Sequence, residues 1–285
     1  MHFGGILLIV LGVAAVGLTI LGIAQKPSSV YKNDPRQRNP LEGKRLVFIP
    51  NERDPENANG VRGHLEVVGT TNLSTSFYDR FWKRLFDVIL SFLGIVLLSP
   101  LLVILSIAIF IDDPGPVMFT QKRIGRNKQY FKIHKFRSMK KGSPSEVPTH
   151  MLSNADLYCT KVGRFIRSTS LDELPQIWDI FIGNMSIIGP RPVLWNEDCL
   201  TAERDKYGAG EVRPGLTGWA QINGRDTLGF AEKAKLDGEY TEKLKAGGFG
   251  AFLFDCRCFI GTILPVVRRE GIVEGVTDKM NKKAS

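Results

Sequence analysis

The run from Val88 to Ile111 is apolar and carries basic residues on both sides. Hydropathy alone reads it as a helix crossing a bilayer. The flanks argue otherwise. Arg80, Lys83 and Arg84 precede the run, and Lys122, Arg123, Arg126 and Lys128 follow it. A spanning helix would leave one basic flank on the outer side, against the tendency of Lys and Arg to stay cytoplasmic. A helix that enters and returns on one face removes the conflict. Ser99-Pro100 supplies the means in mid-run: the proline withdraws a backbone N–H and kinks the helix, and the serine hydroxyl can bond the freed carbonyl. A re-entrant helix is therefore expected over residues 85 to 111. Asp87 is expected at the interface. Phe77, Tyr78, Phe81 and Trp82, mixed with the three cations, suit the headgroup level.

A second uncharged stretch covers residues 4 to 24, long enough to span. No basic region precedes it and no small-residue cleavage site follows, so residues 1–24 read as an uncleaved anchor rather than a signal peptide. Lys26, Lys32, Arg36, Arg38, Lys44 and Arg45 follow it, which puts its C-terminal end in the cytoplasm. Residues 25–77 are polar and rich in Pro, Asn and Gly. They read as a linker of limited order, with Leu46-Val-Phe-Ile49 as one short strand.

The chain of 285 residues carries a formal charge of +9. That excess fits an anionic membrane face or a phosphorylated substrate. No zinc finger, RNA-binding or helix-turn-helix pattern accompanies it, so no nucleic-acid partner is expected. The four cysteines, Cys159, Cys199, Cys256 and Cys258, lack zinc-site spacing and read as reduced thiols. Walker A and Rossmann glycine patterns are absent.

Candidate chemistry sits in Gly163-Arg-Phe-Ile-Arg167-Ser-Thr-Ser170-Leu-Asp172-Glu173-Leu-Pro175-Gln176 and in Gly189-Pro190-Arg191-Pro192. Adjacent carboxylates beside arginines suit phosphate chemistry with a divalent metal: a carboxylate binds the cation or attacks phosphorus, and guanidinium groups hold phosphoryl oxygens. Ser170 followed by Glu173 fits a capping box opening a helix through Leu174, Ile177, Trp178 and Phe181. The first-turn carboxylates would then lie where backbone N–H groups favour bound phosphate. The plainer alternative is that Glu173 only caps and Asp172 only complements the helix dipole.

Further motifs are Lys135-Phe-Arg137-Ser-Met139 and Arg213-Pro-Gly-Leu-Thr-Gly-Trp-Ala-Gln221-Ile-Asn-Gly-Arg225. Together with Ser170-Leu-Asp-Glu-Leu-Pro-Gln176, Gly183-Asn-Met-Ser186 and Gly189-Pro-Arg-Pro192, they resemble the bacterial sugar transferase family. These are the monotopic polyprenyl-phosphate phosphoglycosyl transferases that begin exopolysaccharide, O-antigen and glycoprotein glycan assembly. The resemblance covers roughly residues 78 to 273. It implies transfer of a sugar 1-phosphate from a UDP-sugar to undecaprenyl phosphate at the bacterial plasma membrane, with the catalytic domain facing the cytoplasm. It implies Asp172 as nucleophile and Mg²⁺ ligand, with Glu173 as a further polar partner. Lys135, Arg137, Arg164 and Arg167 would hold phosphate. Arg191, within Pro190-Arg191-Pro192, would meet the uridine, and Gln221 and Arg225 would line the nucleotide pocket. The family's re-entrant helix breaks at a Ser-Pro pair, and Ser99-Pro100 stand in its place. Residues 140 to 155 depart from the family's usual run.

The expected architecture is α+β: mostly helical and membrane-associated, with a short β-hairpin at 117–136, a re-entrant membrane helix and interfacial amphipathic helices. Trp219-Ala-Gln-Ile reads as a strand. Residues 195–207 and 228–246 read as helices. Residues 249–269, interrupted by Asp255, Arg257 and Pro265, read as an interfacial helix. Residues 274–285 form a basic tail. His134 reads as an ordinary strand residue beside the basic motif. The aromatic interfacial surface permits a homodimer. A non-catalytic membrane scaffold is the rival reading, against which the intact Asp172, Glu173 and arginines speak. A polytopic transferase would need more spanning helices than the sequence offers.

Overall fold

A computed structural model describes residues 38–51, 63–71, 73–143, 155–224 and 228–268. The expected anchor at 1–24, the tail at 274–285, most of the 140–155 loop and Arg225 lie outside the described residues.

The long apolar run forms one helix, α1, Lys83–Asp112, entered through a π-helical turn at Tyr78–Trp82. Among the described residues it is the one helix long and apolar enough, by length and composition, to cross a membrane. Pro100 lies inside it. The missing N–H would have bonded the carbonyl of Val96, and Ser99 Oγ donates to that same carbonyl at 2.8 Å. The sequence expectation for the serine holds. Asp112-Asp-Pro-Gly-Pro116 then ends the helix, as the proline and glycine content requires.

Both halves of α1 touch the same protein body. Leu102, Leu105 and Ile109 are buried with Met118, Phe136 and Ile166. Near the other end, Arg84 donates from Nη1 and Nη2 to the carbonyls of Ile180 and Phe181, at 2.6 and 2.7 Å. Asp87 is buried rather than interfacial: its Oδ1 accepts from the Ile187 N–H and the Ser186 hydroxyl, at 2.9 and 3.1 Å. Lys83 is also buried, paired with Asp255 at 2.8 Å. Two members of the supposed headgroup cluster thus grip the protein instead. A buried charge needs a partner, and each found one across the fold.

The expected hairpin is β3, Met118–Ile124, paired antiparallel with β4, Tyr130–Phe136; β6, Val193–Leu194, joins the outer side of β3. Helix α2, Lys161–Ser168, follows a single helical turn at Ala155–Tyr158 and is N-capped by Thr160 Oγ1. A 3₁₀ turn, Leu171–Glu173, precedes α3, Gln176–Ile182. Strand β5, Ser186–Ile188, pairs in parallel with β7, Gly215–Thr217. Between them lies α4, Asp198–Lys206. The chain closes with α5, Trp219–Ile222, α6, Phe230–Ala246, and α7, Gly248–Arg268.

Two local expectations fail. Trp219-Ala-Gln-Ile is helical, because pairing with β5 already ends at Thr217. A Cβ on Gly218 would lie 2.2 Å from the Gly189 carbonyl oxygen, so backbone meets backbone there and the chain turns away. Ser170 is no N-cap: it sits at φ 57°, in the left-handed region, and its side chain makes no capping bond. The following prolyl residue, Pro175, precedes the α3 helix proper, as its fixed φ favours a helix start.

The supposed linker holds order of its own. Strand β1, Lys44–Pro50, contains the expected strand at 46–49 and pairs antiparallel with β2, Gly63–Thr70. The hairpin is tied down by polar bonds. The Leu46 N–H donates to Asp205 Oδ2 at 2.8 Å, and Thr71 Oγ1 donates to Asn127 Oδ1 at 2.7 Å.

Candidate active site

Strand β4 ends at Lys135 and Phe136, and the 3₁₀ turn after α2 carries Asp172 and Glu173. The two elements pack together, which brings Lys135 Nζ to 2.7 Å from Glu173 Oε1. Arg191 arrives from beyond β5. Its Nη2 donates to the same oxygen at 2.6 Å, and its Nη1 reaches Oε2 at 3.4 Å. Glu173 is therefore clamped between two cations and does not cap a helix through its side chain. Burial opposes its charge, but Arg191 and Lys135 outweigh that and hold the carboxyl well below the usual range.

Asp172 differs from its neighbour. Among the described residues no hydrogen bond or ion pair engages its carboxylate, and its side chain is partly exposed. Burial pushes its pKa up, and the Glu173 charge adds to this. Lys135, Arg167 and Arg191 pull the other way. Two adjacent carboxyls are thus driven apart by their surroundings, a pattern associated with divided catalytic roles.

The remaining expected residues fall in different places. Arg167 lies close enough to act on Asp172, and its Nη1 contacts Cys159 Sγ at 3.8 Å. Arg164 is exposed on α2. Arg137 is buried and faces the turn after α1, where Nη1 lies 3.2 Å from Asp113 Oδ2 and Nη2 donates to the Asp113 carbonyl. It holds the exit of α1, not the Glu173 cluster. Pro190 and Pro192 contribute carbonyls, to the Gly215 N–H at 2.8 Å and to Arg123 Nη1 at 3.0 Å. The Gln221 amide is buried, and neither its nitrogen nor its oxygen has a hydrogen-bond partner among the described residues. His134 is a tie: its N–H and ring Nδ1 both meet Asp179, at 2.9 and 2.8 Å.

Sequence reasoning missed the residues that set Arg191. Arg204 Nη1 donates to the Arg191 carbonyl at 2.8 Å, and Arg204 Nη2 pairs with buried Asp237 at 2.6 Å. A signal existed, since Arg204 lies in a segment of helical pattern and such polar side chains on an inner face need partners.

The descriptive profile "Bacterial sugar transferase" matches residues 78–269. The chain belongs to the bacterial sugar transferase family. It is 42% identical over 192 residues to the Escherichia coli protein named UDP-glucose:undecaprenyl-phosphate glucose-1-phosphate transferase, covering 65% of this chain and 40% of that protein. It is 34% identical over 209 residues to the Salmonella typhimurium undecaprenyl-phosphate galactose phosphotransferase, covering 68% and 42%. With the Aeromonas hydrophila UDP-N-acetylgalactosamine-undecaprenyl-phosphate N-acetylgalactosaminephosphotransferase it shares 40% over 161 residues, covering 56% and 38%. The chain thus spans about two-fifths of each of these relatives. Their names carry three different sugars.

Among the described residues no group of three or more His, Cys, Asp or Glu side chains forms a metal-ligand cluster. Asp172 alone offers a carboxylate at the Glu173 cluster without a bonded partner among the described residues, and Mg²⁺ commonly takes one or two carboxylates and completes its shell with substrate phosphates and water.

Proposed function

We propose that this family member transfers a sugar 1-phosphate from a UDP-sugar to undecaprenyl phosphate, releasing UMP. The observation that carries the reading is the contrast within one 3₁₀ turn: Glu173 held by Lys135 and Arg191, Asp172 without a bonded partner among the described residues. The relatives' names, each joining a sugar to undecaprenyl phosphate, support the substrate classes.

In the first step an Asp172 Oδ attacks the β-phosphorus of the UDP-sugar. A carboxylate–phosphorus bond forms, the bond to the bridging oxygen breaks, and UMP leaves with that oxygen. In the second step a phosphate oxygen of undecaprenyl phosphate attacks the same phosphorus and Asp172 departs as carboxylate. Splitting the transfer lets a soluble donor and a membrane acceptor use one nucleophile in turn. Lys135, Arg191 and Arg167 supply positive charge around the phosphoryl oxygens. Mg²⁺ held in part by Asp172 would neutralise charge on the donor diphosphate.

The same reading has α1 entering and leaving the membrane on the cytoplasmic face. Contacts of both its halves with one protein body support this, as does the Ser99 bond to the carbonyl that Pro100 frees. The nucleophile would then stand at the surface where a lipid phosphate lies.

The test is UMP release by the detergent-solubilised chain with undecaprenyl phosphate, Mg²⁺ and a panel of UDP-sugars, beside Asp172→Asn. Release with one sugar, lost in the variant, is the expected result. Near-normal release by Asp172→Asn would sink the nucleophile assignment. Silence across the panel, with no phosphosugar adduct on Asp172 by mass spectrometry, would favour the scaffold.

A further inference from the structure

Helices α6 and α7 border an open surface groove of about 480 Å³ that shares no residue with the Glu173 cluster. Its walls mix two kinds of side chain. Lys243, from the last turn of α6, and Arg257, from α7, supply positive charge; Leu253 and Phe254 supply apolar surface. No carboxylate pairs with Lys243 or Arg257 among the described residues, and both are exposed. Arg257 lies over the Trp219 ring at 4.8 Å, which orients the guanidinium without neutralising it. The Trp219 Nε1 in turn donates to Glu239 at 2.9 Å, which fixes the ring beneath the guanidinium. The floor is open at Gly250, where a Cβ would meet nothing within 4 Å.

The groove borders a wide apolar face. Phe249, Leu253 and Ile260 on α7 are 73%, 51% and 59% exposed, and an apolar patch of this kind marks a contact surface when it is contiguous. Ring contacts run without a gap from Trp82 through Phe86 and Phe252 to Phe249, joining this face to the entry of α1. Two unpaired cations beside a groove, at the margin of a continuous apolar face, match a lipid whose phosphate is fixed at the membrane surface.

We propose that the α6–α7 groove binds an anionic phospholipid, its phosphate between Lys243 and Arg257 and its acyl chains along the exposed face of α7. Phospholipid binding here rests on the membrane disposition given above; the transfer chemistry enters only in setting the acceptor apart from it. The occupant is a bulk phospholipid and not the acceptor, because the acceptor's phosphate has to reach Asp172.

Native mass spectrometry of the full chain in detergent provides the test, with phosphatidylglycerol and undecaprenyl phosphate titrated separately into delipidated protein. The parent chain should retain one phosphatidylglycerol. Lys243→Gln with Arg257→Gln should weaken it by about thirtyfold, the scale of two lost surface attractions of about 1 kcal/mol each. Gly250→Leu fills the groove with both cations intact and should also displace the lipid. Lys135→Gln should leave retention unchanged. Retention at parental affinity in both groove variants would overturn the proposal. So would loss of phosphatidylglycerol in Lys135→Gln alone, or preferential filling of the groove by undecaprenyl phosphate. Lipid counts do not depend on turnover, so an inactive chain leaves the test intact.

Discussion

Arg191 Nη2 donates to Glu173 Oε1 at 2.6 Å, on the oxygen that Lys135 also occupies. A single carboxylate therefore holds two cations beside Asp172. The arrangement stores positive charge next to Asp172 without leaving it unneutralised in a partly buried turn.

Glu173→Gln keeps the shape and removes the charge that holds this pair. It should lower kcat/KM by about 10- to 100-fold, the loss expected from a charge-assisted contact of about 1.5–3 kcal/mol. Steady-state UMP release measures this, and an unchanged kcat/KM would show that the clamp is idle.

The acid limb of the rate profile should report on Asp172. Burial, then the Glu173 charge, raise its pKa, while Lys135, Arg167 and Arg191 lower it. Removing a cation must raise it further. Lys135→Met should therefore move the acid limb of UMP release to higher pH, with the two carboxyls titrating as a pair. A limb displaced to lower pH would contradict the assignment.

The same shift has a stability consequence. A carboxyl whose folded pKa is raised contributes most at low pH, and the contribution is lost as pH rises through the folded value. Asp172→Asn should accordingly melt above the parent chain at neutral pH, and the gap should close on acidification. Thermal unfolding across pH values checks this. Glu173 has the opposite sign: its contribution is present above the ordinary glutamate value and is lost as pH falls through its depressed one.

Arg204→Met would strand Asp237 with its charge buried and release the Arg191 carbonyl. A loss of about 3–5 kcal/mol is expected. The double variant Arg204→Met with Asp237→Leu should recover much of that stability but not the donor KM, since the Arg191 carbonyl has lost the Arg204 bond. Unfolding in detergent and donor saturation curves separate the two effects.

Topology can be read by labelling. In a chain with its cysteines replaced, single cysteines at Thr75 and Lys122 flank α1. Both should react with a membrane-impermeant maleimide only after cells are opened. Labelling of one alone in intact cells would mean that the helix crosses.

Much of the fold was legible where a residue type has a narrow physical use. Pro100 and Ser99 announced the broken carbonyl bond, and Asp112-Asp-Pro-Gly-Pro116 announced the end of α1. The β3–β4 hairpin followed from two short strand-like runs on either side of Gly125-Arg-Asn127. Local patterns misled where long-range contacts decide. Ser170 has a capping spacing but lies in a left-handed turn, because Glu173 is drawn to Lys135 and Arg191, 38 and 18 residues distant. Arg137 sits in the same motif as Lys135 yet turns to Asp113. Asp87 and Lys83 look like interfacial charges in one dimension, and only their partners at Ile187 and Asp255 reveal buried ties.

Asp255 gathers Lys83 Nζ, the Tyr78 hydroxyl and the Tyr240 hydroxyl, all within 2.9 Å. These come from the base of α1, the turn before it, and α6. Cutting the chain after α1 would strip this carboxylate of two donors and leave Met118, Phe136 and Ile166 facing water. Trimming the apolar helix away therefore opens the core against which Leu171 and Leu174, on either side of Asp172 and Glu173, pack. The apolar helix is a structural member of the protein body, so expression and purification have to treat the two as one object from the first step of folding.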